Sequence, residues 1–142
     1  MKEKLLKFFS LVSISVIALD QLLKYLIISF EPYFGLNFLK ILLVKNTGAG
    51  FGILQDKNNW LAIISALAIL IIIYYYPRIE KEKWPQLLFA LFLGGVIGNF
   101  IDRAFRGFVI DFIDFSFWPA FNIADAAISV AVVGLIIYYW RK

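Results

Sequence analysis

Four apolar stretches dominate the 142-residue chain. Each is long enough to cross a hydrocarbon core of roughly 30 Å, which takes about 20 helical residues. They cover about 8–28, 60–76, 84–105 and 123–140. The second, "WLAIISALAILIIIYYY", stops at Pro77, whose ring cannot continue a helix. Trp60, Trp84, Trp118 and the aromatics at 74–76 and 138–140 sit at span ends, as interfacial aromatics do. A cleaved signal peptide does not fit the first span: its apolar run is too long, and no small-residue cleavage site follows. The connection over 29–59 is too long for a simple turn. Its stretch "NFLKILLVKN" suits an extended or interfacial segment, and periodicity alone does not choose between strand and helix. No repeat, low-complexity tract or linker interrupts the chain, so residues 1–142 are expected to form a single domain.

Composition strengthens this picture. The chain is 62% hydrophobic and 17% charged, with a mean hydropathy of +0.82. A soluble domain of this length could not cover so much apolar surface, which points to an integral membrane protein. There is no His and no Cys. Their absence excludes disulfides, zinc-thiolate sites, a cysteine nucleophile, a Ser-His-Asp triad and imidazole metal ligands. Chemistry is left to carboxylates, amides, hydroxyls, Lys and Arg. The net charge of +4 is distributed unevenly about the spans. Eight basic residues (Lys2, Lys4, Lys7, Arg78, Lys81, Lys83, Arg141, Lys142) flank one side, and four (Lys40, Lys45, Lys57, Arg106) flank the other. The positive-inside rule then places both termini in the cytoplasm. The charge is a topology signal, and no nucleic-acid partner is expected.

Polar residues inside the spans carry the next inference. At about 1.5 Å of rise per residue, Asp20 lies roughly 18 Å along the first span and Asp102 roughly 27 Å along the third. Asp125 falls in the first turn of the fourth. Intramembrane carboxylates are costly and usually face a cavity or a partner. Three at one level suggest a site in the outer half of the bilayer. Asp20 and Lys24 share a helix face. They form either a structural ion pair with Lys24 snorkelling outward or part of that site. In "GGVIGNFIDR", Gly95, Asn99, Asp102 and Arg103 share a face, with Gly98 beside Asp102. Close helix packing accounts for the glycines but not for the polar residues. In "RGFVIDFIDF", Asp111 and Asp114 point to opposite sides if the segment is extended, so at most one faces a cavity. In "FNIADAAI", Asn122 suits a helix N-cap and Asp125 the third helical position, a role compatible with chemistry. Two neighbouring Asp side chains share a proton, leaving one as base and one as acid. Such a pair activates water against a peptide carbonyl without a metal or a covalent intermediate. The candidates nearest the outer interface are Asp111 and Asp125.

These blocks, in this order, resemble the bacterial lipoprotein signal peptidases (signal peptidase II) over nearly the whole chain. The matching blocks are "DQLLK" (Asp20, Lys24), "KNTGAGFG" (Asn46, Gly48, Ala49, Phe51), "GGVIGNFIDR", "GFVIDF" and "FNIADAAI". The resemblance implies an all-α integral membrane fold: a four-transmembrane-helix bundle with a small extracytoplasmic β cradle built from residues around 32–56. It implies an aspartic endopeptidase of the bacterial inner membrane with its active site toward the outer face. Asp111 and Asp125 would be the catalytic pair, with Asp114 outside it. Asp20, Lys24, Asn46, Gly48, Asn99, Asp102, Arg103 and Asn122 would bind substrate or support the site. The implied substrate is a prolipoprotein whose lipobox Cys carries diacylglycerol, cut N-terminal to that Cys. No metal and no cofactor is expected, and the expected state is a monomer in contact with membrane lipids. The connection between Asp111 and Asp125 is short beside that of the family, which bears on the flap over the site. A small multi-span transporter with Asp20 and Asp102 as coupling carboxylates is the alternative from another class. It predicts polar groups on both sides of a midplane path, whereas here they concentrate on the outer side. A scaffold associating through glycine faces leaves Asp111 and Asn122 without a role.

Overall fold

The computed structural model describes residues 2–49 and 54–142. Along the chain come α1 (Lys2–Phe30), β1 (Phe34–Leu36), β2 (Leu39–Asn46), α2 (Asn58–Tyr75), a single 3-10 turn (Tyr76–Arg78), α3 (Lys83–Phe105), β3 (Val109–Phe115) and α4 (Ile123–Trp140). All four helices are long and apolar enough to cross a membrane. α1 starts before its apolar run because the polar "KEKLLK" also favours helix, with Glu3 and Lys7 one turn apart and paired at 2.6 Å. Pro77 converts the end of α2 into the 3-10 turn, as its missing N–H requires.

α3 is the central helix and packs against α1, α2 and α4. Its glycines explain how. A Cβ on Gly94 would come within 2.8 Å of Ser13 O on α1, and one on Gly95 within 2.5 Å of Ala124 O on α4. Consecutive glycines thus admit a different helix on each side, the close-packing device that lipid-embedded helices rely on. Ser13 adds a hydroxyl bond to Ala90 O at 3.1 Å. Much of α2 and one face of α4 remain bare: Ile63, Leu67, Leu70 and Ile71, and Val130, Val133 and Ile136, are all exposed. Such surface would be anomalous in water but suits contact with acyl chains.

The three strands form an antiparallel sheet in the order β1-β2-β3. "NFLKILLVKN" resolves as strand: Leu39 pairs with Phe115, Lys40 with Asp114, Val44 with Asp111 and Asn46 with Val109. Between Ile41 and Val44, β2 takes one residue more than β3, a bulge that bends the strand. The cradle implied around 32–56 therefore supplies two strands, and the third comes from Val109–Phe115, beyond that range. Phe51 lies outside the described residues. Under the sheet, Ile27, Ile110 and Phe112 form one buried cluster. Near the start of α1, Phe9, Ile72, Ile79, Ala90 and Leu93 form another.

The Gly95 contact is with backbone, which cannot swing aside. Gly95→Ala is expected to destabilise the protein by about 1–3 kcal/mol through overpacking, read as a lower unfolding midpoint in detergent. Gly35→Ala, whose Cβ would meet only Lys40 Cγ at 3.6 Å, is expected to stay within about 0.5 kcal/mol.

Candidate active site

Asp111 and Asp125 arrive from different elements, and local structure fixes both. Phe121 bridges back to Ile113, donating to Ile113 O at 3.0 Å and accepting from Ile113 N at 2.9 Å. The chain then enters α4 directly. Asn122 is the N-cap, and its side chain accepts the Asp125 N–H at 2.9 Å. Asp125 Oδ2 accepts the Asn122 N–H at 3.2 Å, closing a capping box. Asp111 sits opposite Val44 in the sheet, so Asn46, two residues on, is its diagonal neighbour on the same face.

Each of the two carboxylates is held by amides. Asn46 Nδ2 donates to Asp111 Oδ2 at 2.9 Å, and Asn122 Nδ2 to Asp111 Oδ1 at 2.8 Å. Asn99 Nδ2 donates to Asp125 Oδ1 at 2.7 Å, and Asn122 Nδ2 also reaches Asn99 Oδ1 at 3.1 Å. Asn122 and Asn99 therefore link the two acids. Both acids line a cavity of about 480 Å³, together with Asn46, Arg103 and Trp118 and an apolar wall that includes Val109, Phe121 and Ile128. Asp114 is absent from that lining and pairs across the sheet with Lys40. Burial pushes the Asp111 carboxyl up to about 7, and the neighbouring charge of Asp125 pushes it the same way. The amide bonds from Asn46 and Asn122, and the charge of Lys24, oppose the rise.

Behind the two acids lies a buried ionic cluster. Lys24 Nζ is 2.8 Å from both Asp20 Oδ2 and Asp102 Oδ2, and donates to Asn99 Oδ1 at 3.0 Å. All four residues are buried. Of the two readings of Lys24, outward snorkelling does not hold: a second carboxylate on α3 draws the ammonium inward. Gln21 and Arg106 complete the cluster, and neither was singled out from sequence. Gln21 Nε2 bonds Asp20 Oδ2 at 3.2 Å, Gly98 O at 3.1 Å and Asp102 Oδ1 at 3.2 Å. Arg106 donates to Gln21 Oε1 at 2.9 Å and pairs with Asp102 Oδ1. Its spacing of four from Asp102 is the signal that could have found it.

Gly48 is buried in the turn after β2. Its N–H is accepted by Asn46 Oδ1 at 2.9 Å, and its carbonyl accepts from Arg103 Nη2 at 3.3 Å. Arg103 Nε is buried with no partner among the described residues.

Comparison with known proteins agrees with this architecture. The family model for Signal peptidase (SPase) II matches residues 12–141. The lipoprotein signal peptidase of Moorella thermoacetica is 40% identical over 139 residues, covering 94% of this chain and 91% of that protein. The lipoprotein signal peptidase of Francisella tularensis subsp. novicida is 42% identical over 145 residues, covering 92% and 89%. A solved bacterial membrane enzyme, determined by the in meso method at 2.3 Å, superposes with a TM-score of 0.86 at 31% identity, covering 95% of this chain and 88% of that one.

The elevated Asp111 carboxyl is open to direct measurement. Infrared titration is expected to show a protonated-carboxyl band that disappears around pH 7 and is missing in Asp111→Asn. The Asn46 bond favours the ionised form, so Asn46→Ala is expected to move the midpoint upward. A midpoint near the ordinary aspartate value of about 4 would contradict the burial argument.

Proposed function

The chain belongs to the signal peptidase II family, and from that premise we propose that it is an aspartic endopeptidase acting on prolipoproteins whose lipobox Cys carries diacylglycerol. It removes the signal peptide by cutting on the N-terminal side of that Cys. The observation that carries this reading is that Asp111 and Asp125 line one cavity and are joined through Asn122 and Asn99.

The chemistry follows from that pairing. Close carboxylates share one proton. Burial and the neighbouring Asp125 raise Asp111 to about 7, which favours Asp111 as the proton carrier and Asp125 as the base. Asp125 takes a proton from water as the water oxygen attacks the scissile carbonyl, while Asp111 gives its proton to the carbonyl oxygen. Collapse of the tetrahedral intermediate breaks the C–N bond. The proton held by Asp125 goes to the leaving amine, and Asp111 recovers its own. Asn46, Asn99 and Asn122 fix the carboxylates, while Arg103 lines the cavity and is anchored to Gly48 O.

The excess of basic residues on one side supports cytoplasmic termini, with the sheet end and the dyad facing outward from the inner membrane. The functional unit is a single domain over 1–142, a monomer in contact with membrane lipids, with no nucleic-acid partner. The transporter reading is weaker. Asp20, Lys24, Asn99, Asp102, Asp111 and Asn122 are buried together at the sheet end, whereas the other buried polar side chains among the described residues, Ser13 and Gln86, bond to the backbone carbonyls of Ala90 and Glu80.

Asp111→Asn and Asp125→Asn are each expected to lower turnover by at least about 10²–10⁴-fold in a cleavage assay on lipidated prolipoprotein, without loss of membrane insertion. Asp114→Asn is expected to leave turnover within a few-fold. Wild-type turnover by either dyad variant would refute the assignment.

The lipid requirement is a separate expectation. Burying acyl chains contributes about 0.8 kcal/mol per CH₂, far more than the small lipobox side chains can supply. The unlipidated precursor is expected to be cut orders of magnitude more slowly than the lipidated one at equal detergent-phase concentration. Equal rates would show that recruitment does not run through the lipid.

A further inference from the structure

The buried ionic cluster touches the backbone beside each dyad residue. Asp20 Oδ1 accepts the N–H of Ala124 at 3.0 Å, and Ala124 immediately precedes Asp125. Asp102 Oδ2 accepts the N–H of Ile110 at 3.1 Å, and Ile110 immediately precedes Asp111. Two carboxylates from α1 and α3 therefore grip the amides next to the two dyad acids. One ammonium, Lys24, lies 2.8 Å from both. Its third contact, Asn99 Oδ1 at 3.0 Å, leaves the Asn99 amide nitrogen to face Asp125 Oδ1.

We infer that Lys24 is a positioning residue for the dyad, holding Asp20 and Asp102 so that the amides they grip keep Asp125 and Asp111 in register; the inference rests on the dyad reading above. Three acceptors use all three ammonium protons, so no donor remains for substrate. The fully buried nitrogen acts through its neighbours. Removing it leaves two fully buried carboxylates facing each other, and they separate or take up a proton. Either change shifts the backbone they hold. A displacement of about 1 Å at reacting groups can cost about 10²-fold in rate.

Two variants test this on the whole protein in detergent, assayed with lipidated precursor well below their unfolding midpoints. Lys24→Met keeps the aliphatic stem and removes the charge. It is expected to lower kcat about 100-fold or more, with KM changed less than about threefold. In the double variant Asp20→Asn with Lys24→Met, the amide oxygen still accepts the Ala124 N–H, its nitrogen turns toward Asp102, and the charge conflict is gone. Its kcat is expected to be about tenfold or more above that of the single variant, half of a 100-fold loss on the logarithmic scale.

Three results would overturn the proposal. In the first, Lys24→Met unfolds at lower temperature yet keeps its kcat, which makes the residue purely structural. In the second, the folded double variant is no better than the single, which makes the ammonium itself part of the chemistry. In the third, neither variant folds, which again leaves only a structural role. If only the double folds, a kcat within about tenfold of the parent supports positioning and a dead folded protein opposes it. Asp111→Asn and Asp125→Asn run in parallel, and their activity would refute the dyad whatever Lys24 does.

Discussion

A single ammonium, Lys24, sits between Asp20 and Asp102 at 2.8 Å from each, with no access to solvent. Leaving one buried charge without its partner costs about 3–5 kcal/mol, so the three residues stay together. Their positions tie α1 to α3, and through the amides of Ile110 and Ala124 they tie both helices to β3 and α4. The glycines belong to the same device. A Cβ on Gly98 would come within 2.7 Å of Asp20 Oδ2, so the cluster needs that glycine to bring the carboxylate against α3. Arg106 and Gln21 take up the remaining carboxylate oxygen of Asp102.

The two dyad elements are fixed by ordinary local rules working at a lipid-facing bundle. The bulge in β2 and the sheet register place Asn46 beside Asp111. The capping box sets Asp125 at the start of α4, using Oδ2 while Oδ1 faces Asn99. Capping and chemistry are therefore not rival roles for Asp125. The cap fixes the rotamer that the proposed chemistry would use. Carboxylates and amides suffice for this arrangement in a chain without His or Cys.

The four spans were legible because lipid imposes a simple pattern of long apolar runs ending at aromatics and Pro77. Asp125 stood out because Asp is rare in an apolar span, whereas Asp111 stood out by its place near the outer interface and by the family resemblance. Tertiary partners were harder to see. Spacing of four revealed Asp20 beside Lys24, but nothing local announces Asp102 on another helix, so sequence left open whether Lys24 snorkels outward or joins the site. Arg106 read as a loop charge bearing on topology, yet it closes the cluster as an ion pair. Gln21 has no sequence signature at all. "NFLKILLVKN" could not choose its own conformation, because its strand state depends on pairing with Val109–Phe115, some seventy residues away.

The central claim is that water, activated by the two acids, attacks the peptide, and that neither aspartate attacks it as a nucleophile. A single turnover in heavy-oxygen water tests it, with mass spectrometry of the products and of the proteolysed enzyme. The account predicts one solvent oxygen in the new C-terminal carboxylate of the released signal peptide and none in fragments carrying Asp111 or Asp125. Solvent oxygen incorporated into either aspartate after that single turnover would show a covalent acyl intermediate and contradict it.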